Sequence, residues 1–200
     1  MTEKTAQKEP GKKPAPSKKP KPQQEVVVQI PLSELHPFPD HPFQVREDAS
    51  MQETAESVKE YGVLVPALAR PREDGGYELI AGHRRKHACE LAGLATMPVI
   101  VRDIDRDAAT IIMVDSNLQR ENILPSERAK AYKMKMEAIK RQGARTDLTS
   151  PKISAKFRSD DEVGQDAGVS GDTIRNYIAL TQLVPELQQM VDEKKIALSP

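Results

Sequence analysis

The apolar run Leu79-Ile80-Ala81 leads into Gly82 and then into His83-Arg84-Arg85-Lys86-His87-Ala88. A strand that ends on one glycine and opens a helix on two adjacent arginines has the makings of a phosphate cradle. Glycine permits a tight turn and close backbone approach. The free N–H groups of a helix start point outward at an anion, and Arg84 and Arg85 offer planar cationic forks that match phosphate oxygens. Taken alone, two arginines on a first helical turn are more often solvated surface, because the helix dipole prefers acids there.

Two further segments strengthen the reading. Residues 114–132 crowd polar groups at the end of one helix, just before Pro125 begins another with Ser126 and Glu127 behind it. Asn117, Gln119 and Arg120 therefore lie near a helix terminus, where backbone and side chains can hold phosphates and a magnesium ion. Residues 62–71 read as a turn feeding a short strand that ends on Arg70, a third arginine expected to join the same pocket.

With these segments the chain resembles the ParB/Spo0J/Noc family of chromosome and plasmid partition proteins over roughly residues 25–198. The family's glycine-acid-arginine-arginine box is similar to Gly82-His83-Arg84-Arg85, and its Glu-Asn-x-Gln-Arg box to Ser116-Asn117-Leu118-Gln119-Arg120. The Gln-Pro-hydrophobic element resembles Val65-Pro66-Ala67, and an upstream Pro-x-Gln-Pro-Arg element is echoed by Pro42-Phe43-Gln44-Val45-Arg46. The resemblance implies a protein that binds a short palindromic DNA site, loads CTP and Mg²⁺, closes as a clamp around duplex DNA and slides. It implies CTP contacts from Arg70, Gly82, His83, Arg84, Arg85, Asn117, Gln119 and Arg120, with Asn117 and Ser116 at the metal.

The chain departs from the family pattern at three places: His83 replaces the acid, Ser116 the glutamate and Val65 the glutamine. A serine hydroxyl is a poorer ligand for Mg²⁺ than a carboxylate, and Asp115 is turned about 100° away along a helix. The expectation is that nucleotide binding survives while CTP hydrolysis is slow or absent. A ParB-like regulator that has lost the nucleotide switch is the runner-up. A nuclease is disfavoured, because two-metal cleavage needs clustered carboxylates and the Arg84 and Asn117 regions supply amides and cations.

Composition bounds the rest. The chain has 200 residues, with 30 basic against 30 acidic residues, which suggests one or two domains. The charge is segregated, since Lys4, Lys8, Lys12, Lys13, Lys18, Lys19 and Lys21 face only Glu3 and Glu9 in residues 1–24. That Pro/Lys-rich tail cannot bury enough apolar surface to offset ordering and is expected to be disordered. It lacks the apolar core of a signal sequence, and no stretch approaches the roughly 18 apolar residues of a membrane span. A cytoplasmic, nucleoid-associated protein is expected. The lone cysteine, Cys89, permits no intramolecular disulfide and is expected to pack as a small apolar residue. Sulfiredoxin, which shares the ParB-like domain, carries its catalytic cysteine where this chain has Gly82.

The elements that must position these groups can be read in order. Val26–Ile30 is a strand, residues 31–42 are too rich in proline for a regular element, and Met51–Tyr61 is an amphipathic helix closed by Gly62. Pro66–Arg70 and Tyr77–Ala81 form a hairpin around Asp74-Gly75-Gly76. Arg84–Ala92 is a helix, Met97–Asp103 a strand and Asp107–Leu118 a helix. The fold class is thus α+β followed by all-α: a small mixed-sheet, ParB/sulfiredoxin-like nucleotide-binding domain over 25–123, then a helical DNA-binding domain over 124–200.

In the helical domain one long helix runs from Pro125 to about Arg141, followed by a connection from Gly143 to Ser159. Residues 159–183 read as a helix-turn-helix: Ser159 caps a helix to Ala167, Gly168 and Val169 turn, and Ser170 caps a second helix to about Leu183. Val169, Ile174 and Ile178 should face the core. Ser170, Asp172, Thr173, Arg175 and Asn176 are the DNA-contact candidates, Arg175 foremost. Tyr132, Met134, Met136 and Ile139 read as packing residues, and His83 with His87 at i, i+4 lacks a third metal ligand. The chain stops where the family continues toward a dimerisation domain, so a fragment of a dimeric protein is expected, with a ParA-type ATPase as possible partner.

Overall fold

The computed structural model describes residues 25–120, 122–146 and 159–198. The basic tail and most of the 143–159 connection lie outside these residues. The strands are β1 (Val27–Pro31), β2 (Leu35–Pro37), β3 (Ala67–Pro71), β4 (Tyr77–Ala81) and β5 (Thr96–Val101). The helices are α1 (Ala49–Tyr61), α2 (His83–Leu91), α3 (Arg106–Leu118), α4 (Pro125–Thr146), α5 (Ser159–Ala167), α6 (Gly171–Leu180) and α7 (Pro185–Asp192).

The strands form one mixed sheet in the order β1-β5-β3-β4-β2. β1 runs antiparallel to β5, β5 parallel to β3, β3 antiparallel to β4, and β4 parallel to β2. Residues 31–42, expected to be irregular, contain a 3₁₀ turn and the edge strand β2. Three pairs to β4 suffice for this strand, its proline sits at its last position, and Leu35 is buried in the core. Proline is tolerated at such an edge.

Side chains alternate across a strand, so Leu79 and Ile80 of β4 enter different cores. On one face Met51 and Val58 of α1 and Ala88 and Cys89 of α2 pack with Ile30, Met97 and Val99. Burial raises the Cys89 thiol pKa, which fits a packing role. On the other face Ala109, Met113 and Val114 of α3 pack with Phe38, Phe43 and Ala131 of α4. The helix starts follow local chemistry: Asp48 accepts from the Met51 N–H, Asp105 from the Ala108 N–H and Ser170 from the Thr173 N–H.

α4 joins the sheet part to the helical part, since it packs on α3 through Ala131 and on α5 and α6 through Tyr132. The second helix of the helix-turn-helix ends at Leu180, short of the expected Leu183, and α7 follows unanticipated by the sequence pattern. Pro185 opens α7, where its missing N–H costs nothing. Asp192 closes it and accepts from the Ser126 N–H and hydroxyl at 2.8 and 2.6 Å, binding α7 to the start of α4. Tyr132, Met136 and Ile139 pack against Val163 and Ile174, and Met134 joins the α3 core. Among the described residues no helix is long and apolar enough to cross a membrane.

Candidate functional site

Gly82 holds the turn between β4 and α2 at φ +111°, and a Cβ there would lie 2.8 Å from the Ala67 Cβ. Only glycine accepts that conformation and that approach without strain. The turn aims Arg84 back toward the start of α1, where its Nη2 donates to Ser50 Oγ at 3.2 Å and lies 3.7 Å from Asp48 Oδ1. Arg84, Gln119 and Arg120 line one open cavity of about 460 Å³, together with Phe43, Gln44 and Arg46. Burial lowers the Arg120 pKa, Arg84 and Arg85 push the same way, and Glu127 opposes them. Asp48 and Glu127 also line the cavity, and cations gathered in a part-buried concavity can attract an anion.

Glu127 completes the cavity wall from the first turn of α4. Its carboxylate accepts from the Gln44 N–H at 3.1 Å and the Leu124 N–H at 3.2 Å, and it lies 3.8 Å from Arg46. Arg46, Gln44, Ser50, Asp48 and Glu127 were not among the candidate site residues. The Pro42–Arg46 echo was the available signal for Gln44 and Arg46.

The structure separates the three arginines of the cradle reading. Arg85 Nη1 donates to the carbonyls of Val65 and Pro66, both at 2.6 Å, and so braces the loop before β3. Arg70 does not join the cavity: its Nε donates to Glu78 Oε2 at 2.5 Å and it lines a different concavity with Glu78, Ile104 and Arg106. Because β3 and β4 are antiparallel, with Arg70 opposite Glu78, Arg70 sits beside the beginning of β4 while α2 starts beyond its end.

His83 does not line the cavity and packs against His41, with ring centroids 3.9 Å apart. Burial, then His41, then Arg120 and Lys86, push His83 down to a pKa of about 3, so the ring is neutral near pH 7. His87 turns elsewhere, toward Glu47 and Glu90, each at 3.4 Å, so His83 and His87 are not a chelating pair.

At the end of α3, Asn117 is buried and its Nδ2 donates to the Met113 carbonyl at 2.8 Å, to which Ser116 Oγ also donates at 3.0 Å. Asp115 faces away and holds Lys135 Nζ at 2.7 Å. The ligands offered here are a neutral amide and a neutral hydroxyl, a set that does not suit Mg²⁺ without phosphate oxygens. Among the described residues there is no group of three or more His, Cys, Asp or Glu side chains placed to hold a metal ion.

In the helical part, Ser170, Asp172, Arg175 and Asn176 are exposed and Thr173 half-exposed, while Ile174 is buried. Thr173 is engaged with the Ser170 cap. Arg175 is held by the carboxylates of Asp160 on α5 and Asp172 on α6.

Residues 16–118 match the model of the ParB N-terminal domain family. The chain is 36% identical over 171 residues to the chromosome-partitioning protein Spo0J of Thermus thermophilus, which covers 85% of this chain and 56% of the relative. It is 31% identical over 175 residues to the stage 0 sporulation protein J of Bacillus subtilis, covering 88% and 56%. It thus spans about half the length of these relatives. The crystal structure of the C-terminally truncated chromosome-partitioning protein ParB from Caulobacter crescentus complexed to the centromeric parS site matches with a TM-score of 0.56 and 27% identity, over 86% of this chain and 80% of that one. By its sequence and its fold, the chain belongs to the ParB family of chromosome-partitioning proteins.

Proposed function

We propose that the protein is a sequence-specific duplex-DNA-binding partition protein whose sheet part binds CTP, acting as a nucleotide-gated clamp in chromosome, plasmid or mobile-element segregation. The observation that carries the nucleotide half is the convergence of Arg84, Arg120 and Arg46 on one cavity built from three separate segments. Guanidinium forks at a helix start are suited to a phosphate chain. The parS complex of the Caulobacter relative supports the DNA half, with Ser170, Asp172, Thr173, Arg175 and Asn176 on the helix offered to the groove.

In this reading a 25–123 nucleotide-binding domain and a 124–200 DNA-binding domain divide the work. Arg84, Arg120 and Gln119 contact the ligand, Gly82 lets the backbone approach it, and His83 and Arg85 support the cradle. Asn117 and Ser116 would hold a Mg²⁺ ion bound together with the nucleotide, and the ion would offset phosphate charge there. With no carboxylate offered from Ser116, CTP hydrolysis is slow or absent. The full protein works at the nucleoid in the cytoplasm as a homodimer, with a ParA-type ATPase as partner.

The test is calorimetric titration of CTP, with ATP, GTP and UTP as controls, into the wild type and Arg84→Ala, with Mg²⁺ and with or without palindromic DNA. Selective CTP binding that is lost in the variant supports the reading. Absence of binding by any nucleotide selects a DNA-binding regulator that keeps the fold without the switch, a reading favoured by His83, Ser116 and Val65 standing where the family boxes have an acid, a glutamate and a glutamine.

A further inference from the structure

Residues 159–180 contain five acids, Asp160, Asp161, Glu162, Asp166 and Asp172, and Arg175 as their one base. Asp166 is paired with Lys135 of α4, and with the other acids beside it this stretch offers a phosphate backbone little attraction, so charge alone does not explain the arginine. The structure shows what holds it instead. Arg175 Nη1 is bound by Asp160, whose side chain is 14% exposed, and Nη2 by Asp172 one helical turn before it.

The clamp rests on a tight corner. A Cβ on Gly164 would lie 2.6 Å from the Val169 carbonyl oxygen, and one on Gly171 would lie 2.3 Å from Asp161 Oδ1. Asp161 is exposed and its carboxylate can swing aside, so it is Gly164, against backbone, that lets α5 and α6 close on each other, and Val163 and Ile174 are fully buried between these helices and α4. Asp160 is thereby fixed relative to Arg175, although 15 positions separate them.

We infer that Arg175 reads a guanine edge in the major groove, with Asp160 and Asp172 as positioning residues that fix its guanidinium. This rests on the proposed DNA-binding reading and names the base class that α6 recognises. The two carboxylates bind the guanidinium and offset its charge, which weakens its attraction for phosphate. Among the described residues these contacts use two of the five guanidinium N–H groups. A planar donor fork held at fixed angle matches the O6 and N7 acceptors of guanine, the commonest specific arginine contact. An arginine that reached for phosphate would need no such orientation.

The experiment selects preferred duplexes from a randomised pool with the whole chain, its Arg175→Ala and Arg175→Lys variants and Asp160→Asn. Affinity for the selected duplex is then measured against KCl concentration, and with 7-deazaguanine at each guanine. The wild type should select a guanine that Arg175→Ala and Arg175→Lys both ignore, discrimination there falling from roughly 5- to 150-fold to none. Replacing that guanine by 7-deazaguanine should weaken the wild type and leave Arg175→Ala unchanged. Asp160→Asn should reduce the discrimination, and the salt slope should stay the same in every variant.

An unchanged base preference in Arg175→Ala with a salt slope shallower by about 0.9 would make Arg175 a phosphate contact and overturn the inference. Retention of the guanine preference by Arg175→Lys would overturn the need for an oriented fork. If the wild type selects no sequence, the DNA-binding reading itself fails. That outcome is distinct, because the variants are judged only against a specific wild-type preference.

Discussion

His41 and His83 face each other with ring centroids 3.9 Å apart, and the Nε2 of each is buried with no hydrogen-bond partner among the described residues. The pair lies 42 positions apart in sequence and packs beside Arg120, Lys86 and Glu127. Both rings are held below the ordinary histidine pKa, chiefly by burial, and His83 reaches about 3. The unfolded chain therefore binds more protons than the folded one between about pH 6.5 and pH 3. The stability His83 contributes is complete above about pH 6.5 and is lost as pH falls through that window. His83→Gln should flatten this acid loss, read as urea midpoints between pH 7 and pH 4; a variant profile parallel to the wild type would rule out His83 as the titrating group.

Gly82→Ala must place a Cβ 2.8 Å from that of Ala67 at φ +111°. We expect a loss of about 1–3 kcal/mol in denaturant unfolding, together with weaker nucleotide binding, because the same turn aims Arg84.

Arg84 and Arg85 should separate binding from stability. Arg84→Ala removes a cavity cation that, among the described residues, is tied to Ser50 by a hydrogen bond and lies 3.7 Å from Asp48, so nucleotide affinity should fall with little change in unfolding. Arg85→Ala removes the bonds to the carbonyls of Val65 and Pro66, which are exposed or part-buried and regain water, with an expected loss of about 0.5–1.5 kcal/mol. Equal effects of the two variants on both measurements would contradict the division.

Lys135 is 1% exposed and its ammonium bridges Asp115 of α3 to Asp166 of α5, at 2.7 and 2.8 Å. Burial alone would lower its pKa, but the two carboxylates outweigh burial and raise it. Lys135→Ala should destabilise by about 1–3 kcal/mol, since the abandoned acids are half-exposed and regain water. Lys135→Met keeps the stem and should cost less. In both, amide exchange over residues 160–180 should accelerate first, because the bridge holds α5 against α3 and α4.

Gly164→Ala sets a Cβ 2.6 Å from the Val169 carbonyl oxygen, a backbone atom that cannot swing aside. The corner between α5 and α6 should open, lowering the thermal midpoint and weakening specific DNA binding together. Full DNA affinity in a folded variant would show that the corner geometry is dispensable.

What the sequence determined by itself was local. The cap Ser170, the closing Gly62 and the β3–β4 hairpin follow from short-range chemistry and are where periodicity and turn residues put them, and the caps Asp48 and Asp105, not named from the sequence, rest on the same chemistry. The Gly82-His83-Arg84-Arg85 box and the helix-turn-helix were legible for the same reason. β2 escaped notice because its stability comes from pairing with β4, not from its own residues, and α7 because Ser126 on a distant helix binds its end. Only the tertiary structure decided which groups meet. Arg84 and Arg85 are neighbours in sequence, yet a helix turns successive side chains about 100° apart, sending one to the cavity and the other to a loop carbonyl pair. Arg70 left the site because an antiparallel hairpin puts its end beside the wrong end of β4. The meetings of His41 with His83, Lys135 with Asp166, and Arg175 with Asp160 depend on how separate elements pack, and no local pattern carries that information.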